Sequence, residues 1–192
     1  MNAAADYAAA LAQLNRALPA YVSYVDHTSG GWGPFHGAES RVIVVHVPDG
    51  RIIKGHPSAI QIGVNTHLYD NNVVTYPPFQ PACYVPDAAS GATFDGRPAE
   101  LIAVHDRCRR PDKDAAFQTL YVDPVTHQPL AAVGAVENDR VAVRIEQRFA
   151  AFAGHVMPAS IDVRVKGHGL MTWLDVTARI AYTDYRFSAT EL

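Results

Sequence analysis

Apolar residues near the start of the chain recur at helical spacing, and after residue 19 they recur mostly at every second position. Tyr7, Leu11, Leu14 and Leu18 fall at i, i+4, i+7 and i+11, one face of a 3.6-residue period. That spacing predicts a helix over about Ala4–Leu18, with Asp6 near its start and Pro19 as its stop. It is the strongest helical signal in the sequence, and its stripe is expected to pack on a sheet.

Beyond Pro19 the pattern is that of strands. Ala20–His27 and Ser40–Val47 read as strands rich in Val and Tyr, separated by a Gly-rich loop, Gly30–Gly37, that carries Trp32 and Phe35. Pro48-Asp49-Gly50 predicts a hairpin turn into Arg51–His56. A two-residue Asp49-Gly50 loop would set Val47 opposite Ile52, His46 opposite Ile53 and Ile43 opposite His56. Residues 57–115 are the least readable stretch, with many prolines and short strand candidates at Val73–Tyr76 and Leu101–His105. So long an irregular connection suggests a functional segment or a cover.

From Phe117 a meander is expected, with strands at Phe117–Val122, Pro129–Val136, Val141–Phe152, Ala159–Lys166 and Met171–Phe187. Val141, Val143, Ile145 and Phe149 alternate with Ala142, Arg144, Glu146 and Arg148. Ile161, Val163 and Val165 alternate with Asp162, Arg164 and Lys166, and Leu174, Val176, Ala178, Ile180 and Tyr182 with Asp175, Thr177 and Arg179. One face is apolar and the other wet, as in an antiparallel sheet curled over something. The fold class read from this is α+β and mostly antiparallel β, one domain over residues 1–192.

Composition narrows the function classes. The 192 residues carry a net charge of −3 and only 18% charged side chains, and Arg107, Arg109 and Arg110 are too few for a nucleic-acid footprint. No run of about eighteen apolar residues marks a membrane span. The first residues lack the basic and apolar regions of a signal peptide, so they fit either a cytosolic chain or a mature exported one. The two cysteines, Cys83 and Cys108, lie in polar or Pro-rich sequence and are expected to form a disulfide, which would stabilise by roughly 3 kcal/mol. A catalytic Cys108–His105 arrangement lacks a recognisable nucleophile context.

Nine histidines show no metal-ligating spacing, and no Gly-x-Ser-x-Gly, Walker or Gly-x-Gly-x-x-Gly motif occurs. No catalytic residue, cofactor or metal site is therefore nominated. Trp32 and Phe35 read equally as a mobile lip over a cavity or as residues tucked into the core edge.

Two turns carry a family resemblance. Asp123-Pro124-Val125-Thr126-His127-Gln128-Pro129-Leu130 resembles a turn of the LolA/LolB-like superfamily of bacterial lipoprotein carriers. There a strand ends in Asp-Pro and resumes at Pro-Leu, often with Gly where His127 stands. Phe149 to Ile161, centred on Phe152-Ala153-Gly154-His155-Val156-Met157-Pro158, is similar to the family's aromatic strand, Gly-Val-x-x-Pro turn and next strand, with His155 inserted. The resemblance covers the last 75 residues or so. It implies a curved, unclosed LolA-like β-barrel with the helix on its concave face, a periplasmic or secreted location, and an apolar ligand such as a lipid, a lipoprotein acyl chain or another apolar small molecule.

On that reading the ligand-binding residues are Val141, Val143, Ile145, Phe149, Ile161, Val163, Val165, Leu174, Val176 and Ile180, with Trp32 and Phe35 at the lip. A bulky or charged residue at Ile145 or Val163 should block a ligand yet spare the fold. No lipidation cysteine stands near the start to support a membrane-anchored member. The protein is expected to be a monomeric, non-enzymatic carrier or sensor that does not bind nucleic acid. A protein or peripheral membrane partner stays open, as do two alternatives: a partner-binding scaffold or regulatory module with a filled barrel, and a secreted enzyme with an unrecognised site. A dry apolar pocket would favour the carrier and a polar, histidine-containing one the enzyme.

Overall fold

The computed structural model describes residues 2–32, 35–55, 79, 83–107, 117–137, 141–168 and 173–192. Helix α1 spans Ala3–Leu14. The strands described are β1 (Tyr21–Trp32), β2 (Phe35–His46), β3 (Arg51–Lys54), β4 (Tyr84–Phe94), β5 (Arg97–Asp106), β6 (Thr119–Val122), β7 (Pro129–Glu137), β8 (Val141–Phe152), β9 (His155–His168) and β10 (Trp173–Ser188). They form one unclosed sheet in the order β3-β2-β1-β10-β9-β8-β7-β6-β5-β4, with β3 and β4 at opposite edges and the pairs antiparallel. This is the expected α+β, mostly antiparallel architecture.

Alternation decides the two faces. Val143, Ile145 and Phe149 of β8, Ile161 and Val163 of β9, and Ala178, Ile180 and Tyr182 of β10 are all buried on one face, called inner below. Tyr7 and Ala10 of α1 join the same cluster, with Ile102 of β5 and Leu120 and Val122 of β6. Phe79 completes it, stacked on Tyr84 at 4.8 Å and edge-on to Phe117 at 5.5 Å.

Local chemistry explains the ends of α1. Asn2 caps it by accepting from the Ala5 N–H, and Asp6 returns the bond by accepting from the Asn2 N–H at 2.8 Å. The helix stops at Asn15 rather than at the expected Leu18. Two tertiary bonds hold its last turn and the exit, Gln13 Nε2 to the Thr126 carbonyl at 2.6 Å and Arg16 to the Gly154 carbonyl at 2.8 Å. Pro19 disfavours helical geometry at the residue before it. The stripe is corrected as well: Tyr7 and Ala10 are buried, whereas Leu11, Leu14 and Leu18 are only partly so.

Other expectations shift. The Gly30–Gly37 loop is mostly strand, since β1 runs to Trp32 and β2 begins at Phe35, and the two residues pair. At Gly30 a Cβ would come within 2.6 Å of the Thr177 carbonyl oxygen, so only glycine lets β10 pass so close. The β2–β3 register differs from the expected one, with His46 opposite Arg51 and Val45 opposite Ile52. The Asp49 carboxylate accepts from the Arg51 N–H at 3.0 Å and contacts His46 at 2.8 Å, which makes the turn four residues long. Strand β4 carries no strand signal in the sequence because its Pro, Gly and Ala residues give no alternation. The candidates Val73–Tyr76 and His56, and the ends of several loops, lie outside the described residues.

Both resemblance turns are built as their residues suggest. Asp123 Oδ1 accepts from the Val125 and Thr126 N–H groups and the Thr126 hydroxyl. His127 adopts φ +55°, the left-handed conformation that glycine would take most easily. Ala153 and Gly154 both have positive φ, as a two-residue hairpin turn between the paired Phe152 and His155 requires.

Candidate functional site

Strand register gathers the sequence-predicted apolar residues into rungs across the inner face. Val143 pairs with Val165, Val165 with Val176, and Val176 with Trp32, which pairs in turn with Phe35. The next rung runs Ile145, Val163, Ala178 and Gly30, with Gly134 of β7 on the other side of Ile145. A third runs Gln147, Ile161, Ile180 and Thr28.

Burial separates these rungs. Ile145 is 1% exposed, Ile161 2% and Val163 5%, and Phe149 packs on Phe79, so all four are enclosed by protein. A charged residue at Ile145 or Val163 would thus enter the core and cost the fold, contrary to the sequence expectation. Val165 and Val176 are only half-buried. They lie at the end of β9 and start of β10 farthest from the Ala153–Gly154 turn, where Arg16 anchors the exit of α1. Val141, Leu174, Trp32 and Phe35 hold strand positions on or beside this rung, and their side chains lie outside the described residues.

The inner face also holds polar groups that alternation alone hides. Gln147 is fully buried and accepts from the Phe79 N–H through Oε1 at 3.1 Å. Asp26 is 3% exposed and accepts a bond from the Thr28 hydroxyl at 2.6 Å. Burial pushes the Asp26 carboxyl above its usual range, the Thr28 bond opposes this, and the nearby Glu39 carboxylate reinforces it.

A third polar group forms where α1 meets the sheet. Asp6 of α1, Glu100 of β5 and His127 of the β6–β7 turn each bring one donor atom to within 4.8 Å of the other two. His127 Nδ1 is 3.8 Å from Asp6 Oδ1. Glu100 is 4% exposed, and neither its Oε1 nor His127 Nδ1 makes a hydrogen bond. Burial raises the pKa of the Glu100 carboxyl, and the adjacent Asp6 acts in the same direction. The signal for this group was absent from local spacing because its members stand 94 and 27 residues apart.

On the opposite, wet face lies a groove of about 980 Å³, lined by Arg144, Glu146, Arg148, Asp162, Arg164 and Arg179 among others. Arg144 and Arg148 flank Glu146 at 3.4 and 2.8 Å, and Arg179 lies 3.7 Å from Asp162. Arg148 also pairs with Asp95 and sits over the Phe94 ring. Four guanidinium groups against two carboxylates give the lining a positive balance. His36 also lines the groove, while His27 contacts Ser40 and Thr183, and His105 contacts Asp87 at 2.7 Å.

Cys83 precedes β4, and its carbonyl accepts from the Arg107 N–H at 2.8 Å. Cys108 lies outside the described residues.

No family model matches the chain, and no curated protein matches it in sequence. Solved structures do match in fold. One is a DUF1329 family protein from Desulfovibrio piger, at TM-score 0.58 and 10% identity over 100% of this chain and 96% of that one. Another is a putative outer membrane lipoprotein-sorting protein domain from Vibrio parahaemolyticus, at TM-score 0.58 and 7% identity over 100% and 95%. A LolA superfamily protein from Nitrosomonas europaea aligns at TM-score 0.49 and 11% identity over 100% and 96%.

Proposed function

The chain has a LolA-like fold, and from that premise we propose that it is a single-domain, non-enzymatic carrier or sensor working outside the cytoplasm, with an apolar ligand held against the inner face of its sheet. The observation that carries this reading is the rung of Val143, Val165, Val176, Trp32 and Phe35. It crosses five adjacent strands, and its valines at 165 and 176 are not sealed by the core. The ligand space is therefore the end of the sheet remote from α1, while the inner face nearer α1 is packed by Phe79, Phe117 and the helix itself. An acyl chain suits such a surface because it needs no fixed hydrogen bonds, and each buried CH₂ contributes about 0.8 kcal/mol.

An exported location is part of the same proposal; among the described residues no helix is long and apolar enough to cross a membrane. Such a location would favour a Cys83–Cys108 disulfide. Support for that bond comes from Arg107, the neighbour of Cys108, which is hydrogen-bonded to Cys83; no described cysteine is free.

The test is uptake of a fluorescent fatty acid by wild-type protein and by Val165→Glu. Saturable binding at micromolar concentrations, lost in the variant while its melting temperature stays within a few degrees of wild type, is the expected result. A wild-type protein that binds no such probe refutes the reading.

The arginine-lined groove supports a second reading, a module that docks an acidic protein partner on the wet face. Salt-sensitive binding of an acidic peptide, abolished by Arg164→Glu, would distinguish it from the first.

A further inference from the structure

We infer that Asp6, Glu100 and His127 form a binding site for one divalent transition-metal ion, zinc by donor chemistry, that clamps α1 to the sheet. The three residues come from α1, β5 and the β6–β7 turn, so nothing local in the chain requires them to meet. Their donor atoms nevertheless converge to within 4.8 Å. Donors around a tetrahedral ion with bonds of about 2.1 Å lie roughly 3.4 Å apart. The 3.8 Å between His127 Nδ1 and Asp6 Oδ1 is close to that already.

The independent sign of a missing ligand is in the hydrogen bonding. Buried polar atoms are normally paired, because an unpaired one loses its hydration with nothing in return. Glu100 is only 4% exposed and offers one carboxylate oxygen to the cluster; its carboxyl is hydrogen-bonded to Asp6, but its Oε1 has no hydrogen-bond partner, and neither has His127 Nδ1. A cation would satisfy both atoms at once. It would also take the place of the proton that the Asp6 and Glu100 carboxyls otherwise share through their hydrogen bond in a poorly hydrated place.

One imidazole nitrogen and two carboxylate oxygens are a borderline donor set. Zn²⁺ takes it with water in the open position. Ca²⁺ and Mg²⁺ prefer oxygen-only surroundings. The site holds the first turn of the helix, whereas Gln13 and Arg16 hold the last turn and the exit, so the ion would fix the end of α1 that side-chain packing secures only through Ala3 and Tyr7.

The experiment is titration of zinc chloride into chelator-treated full-length protein, read by calorimetry and thermal melting. One equivalent should bind, and at a concentration a hundredfold above Kd the melting temperature should rise by about 5–10 °C. Glu100→Gln keeps the side-chain shape, and His127→Gly suits the positive φ at that position. Each should weaken binding ~100-fold or more, whereas His105→Ala should leave it unchanged. The chelator-treated Glu100→Gln protein should melt no lower than chelator-treated wild type, because the substitution removes a buried charge. Absence of a stoichiometric event in wild type, or binding that survives both substitutions, overturns the inference and leaves Asp6 and Glu100 as a proton-sharing pair. Neither outcome bears on fatty-acid uptake, which is read separately.

Discussion

Ile145→Ala distinguishes a packed inner face from a hollow one at the point where the two readings of the barrel diverge. Ile145 is 1% exposed and lies between Val163 on β9 and Gly134 on β7. The substitution removes three carbon atoms, and their transfer alone is worth about 2.4 kcal/mol at ~0.8 kcal/mol per methylene. A residual cavity adds to this, up to a total near ~5 kcal/mol when neighbours cannot close in. Gly134 has no side chain to lean into the gap, so relaxation on the β7 side is small. The expected loss is therefore in the middle of that range, about 3–4.5 kcal/mol. Urea unfolding followed by circular dichroism measures it. With a slope near ~2.5 kcal/mol/M the midpoint should fall by about 1.5 M. A loss below ~1.5 kcal/mol at unchanged slope would mean that Ile145 borders an open space, so that the ligand cavity extends to the middle of the sheet.

Leu14→Ala should cost less than truncation of a fully buried leucine, about 1–2 kcal/mol against a core range of about 2–5, since Leu14 is only half-buried; a loss above about 3 kcal/mol in the same denaturation assay would contradict this. Gly30→Ala should destabilise by about 1–3 kcal/mol through its contact with the Thr177 carbonyl, and unchanged stability would show that β1 and β10 can part there. For Asp26, whose folded pKa is raised, the protonated form favours folding. Its contribution is complete below the unfolded value and is lost as pH rises through the raised folded one. Asp26→Asn should accordingly gain stability over wild type as pH increases from 4 to 7, and a constant difference would refute the burial argument.

The meander from Phe117 onward was legible because its strands have one dry and one wet face, and strict alternation leaves little choice of register. The left half was less so. Strand β4 pairs through residues such as Pro86, Ala88, Ala89 and Gly91, whose side chains carry almost no period, and its place is fixed by β5. The turn at Asp49 followed a side-chain hydrogen bond rather than the preferred two-residue loop. The apolar rows could be named from the sequence. Which part of them remains open could not, because that depends on where α1 and the aromatic rings of Phe79 and Phe117 come to rest. Gln147, Asp26 and Glu100 interrupt the apolar face at positions that look like ordinary polar residues until their neighbours are known.

The pairing of β1 with β10 has a consequence for the order of assembly. The two strands lie nearly at opposite ends of the chain, with Tyr21 opposite Ser188, yet their seam is internal to the sheet: β3-β2-β1 stands on one side of it and β9 to β4 on the other. A chain growing from its N-terminus can form the first hairpins and most of the meander, but the two blocks cannot be joined until the last sixteen-residue strand has emerged. Contacts of such long sequence separation close slowly. Until they do, β1 presents an unpaired edge to any other extended segment. Loss of the C-terminal strand would not merely shorten the sheet; it would divide it into a three-stranded and a six-stranded piece, each with a new open edge.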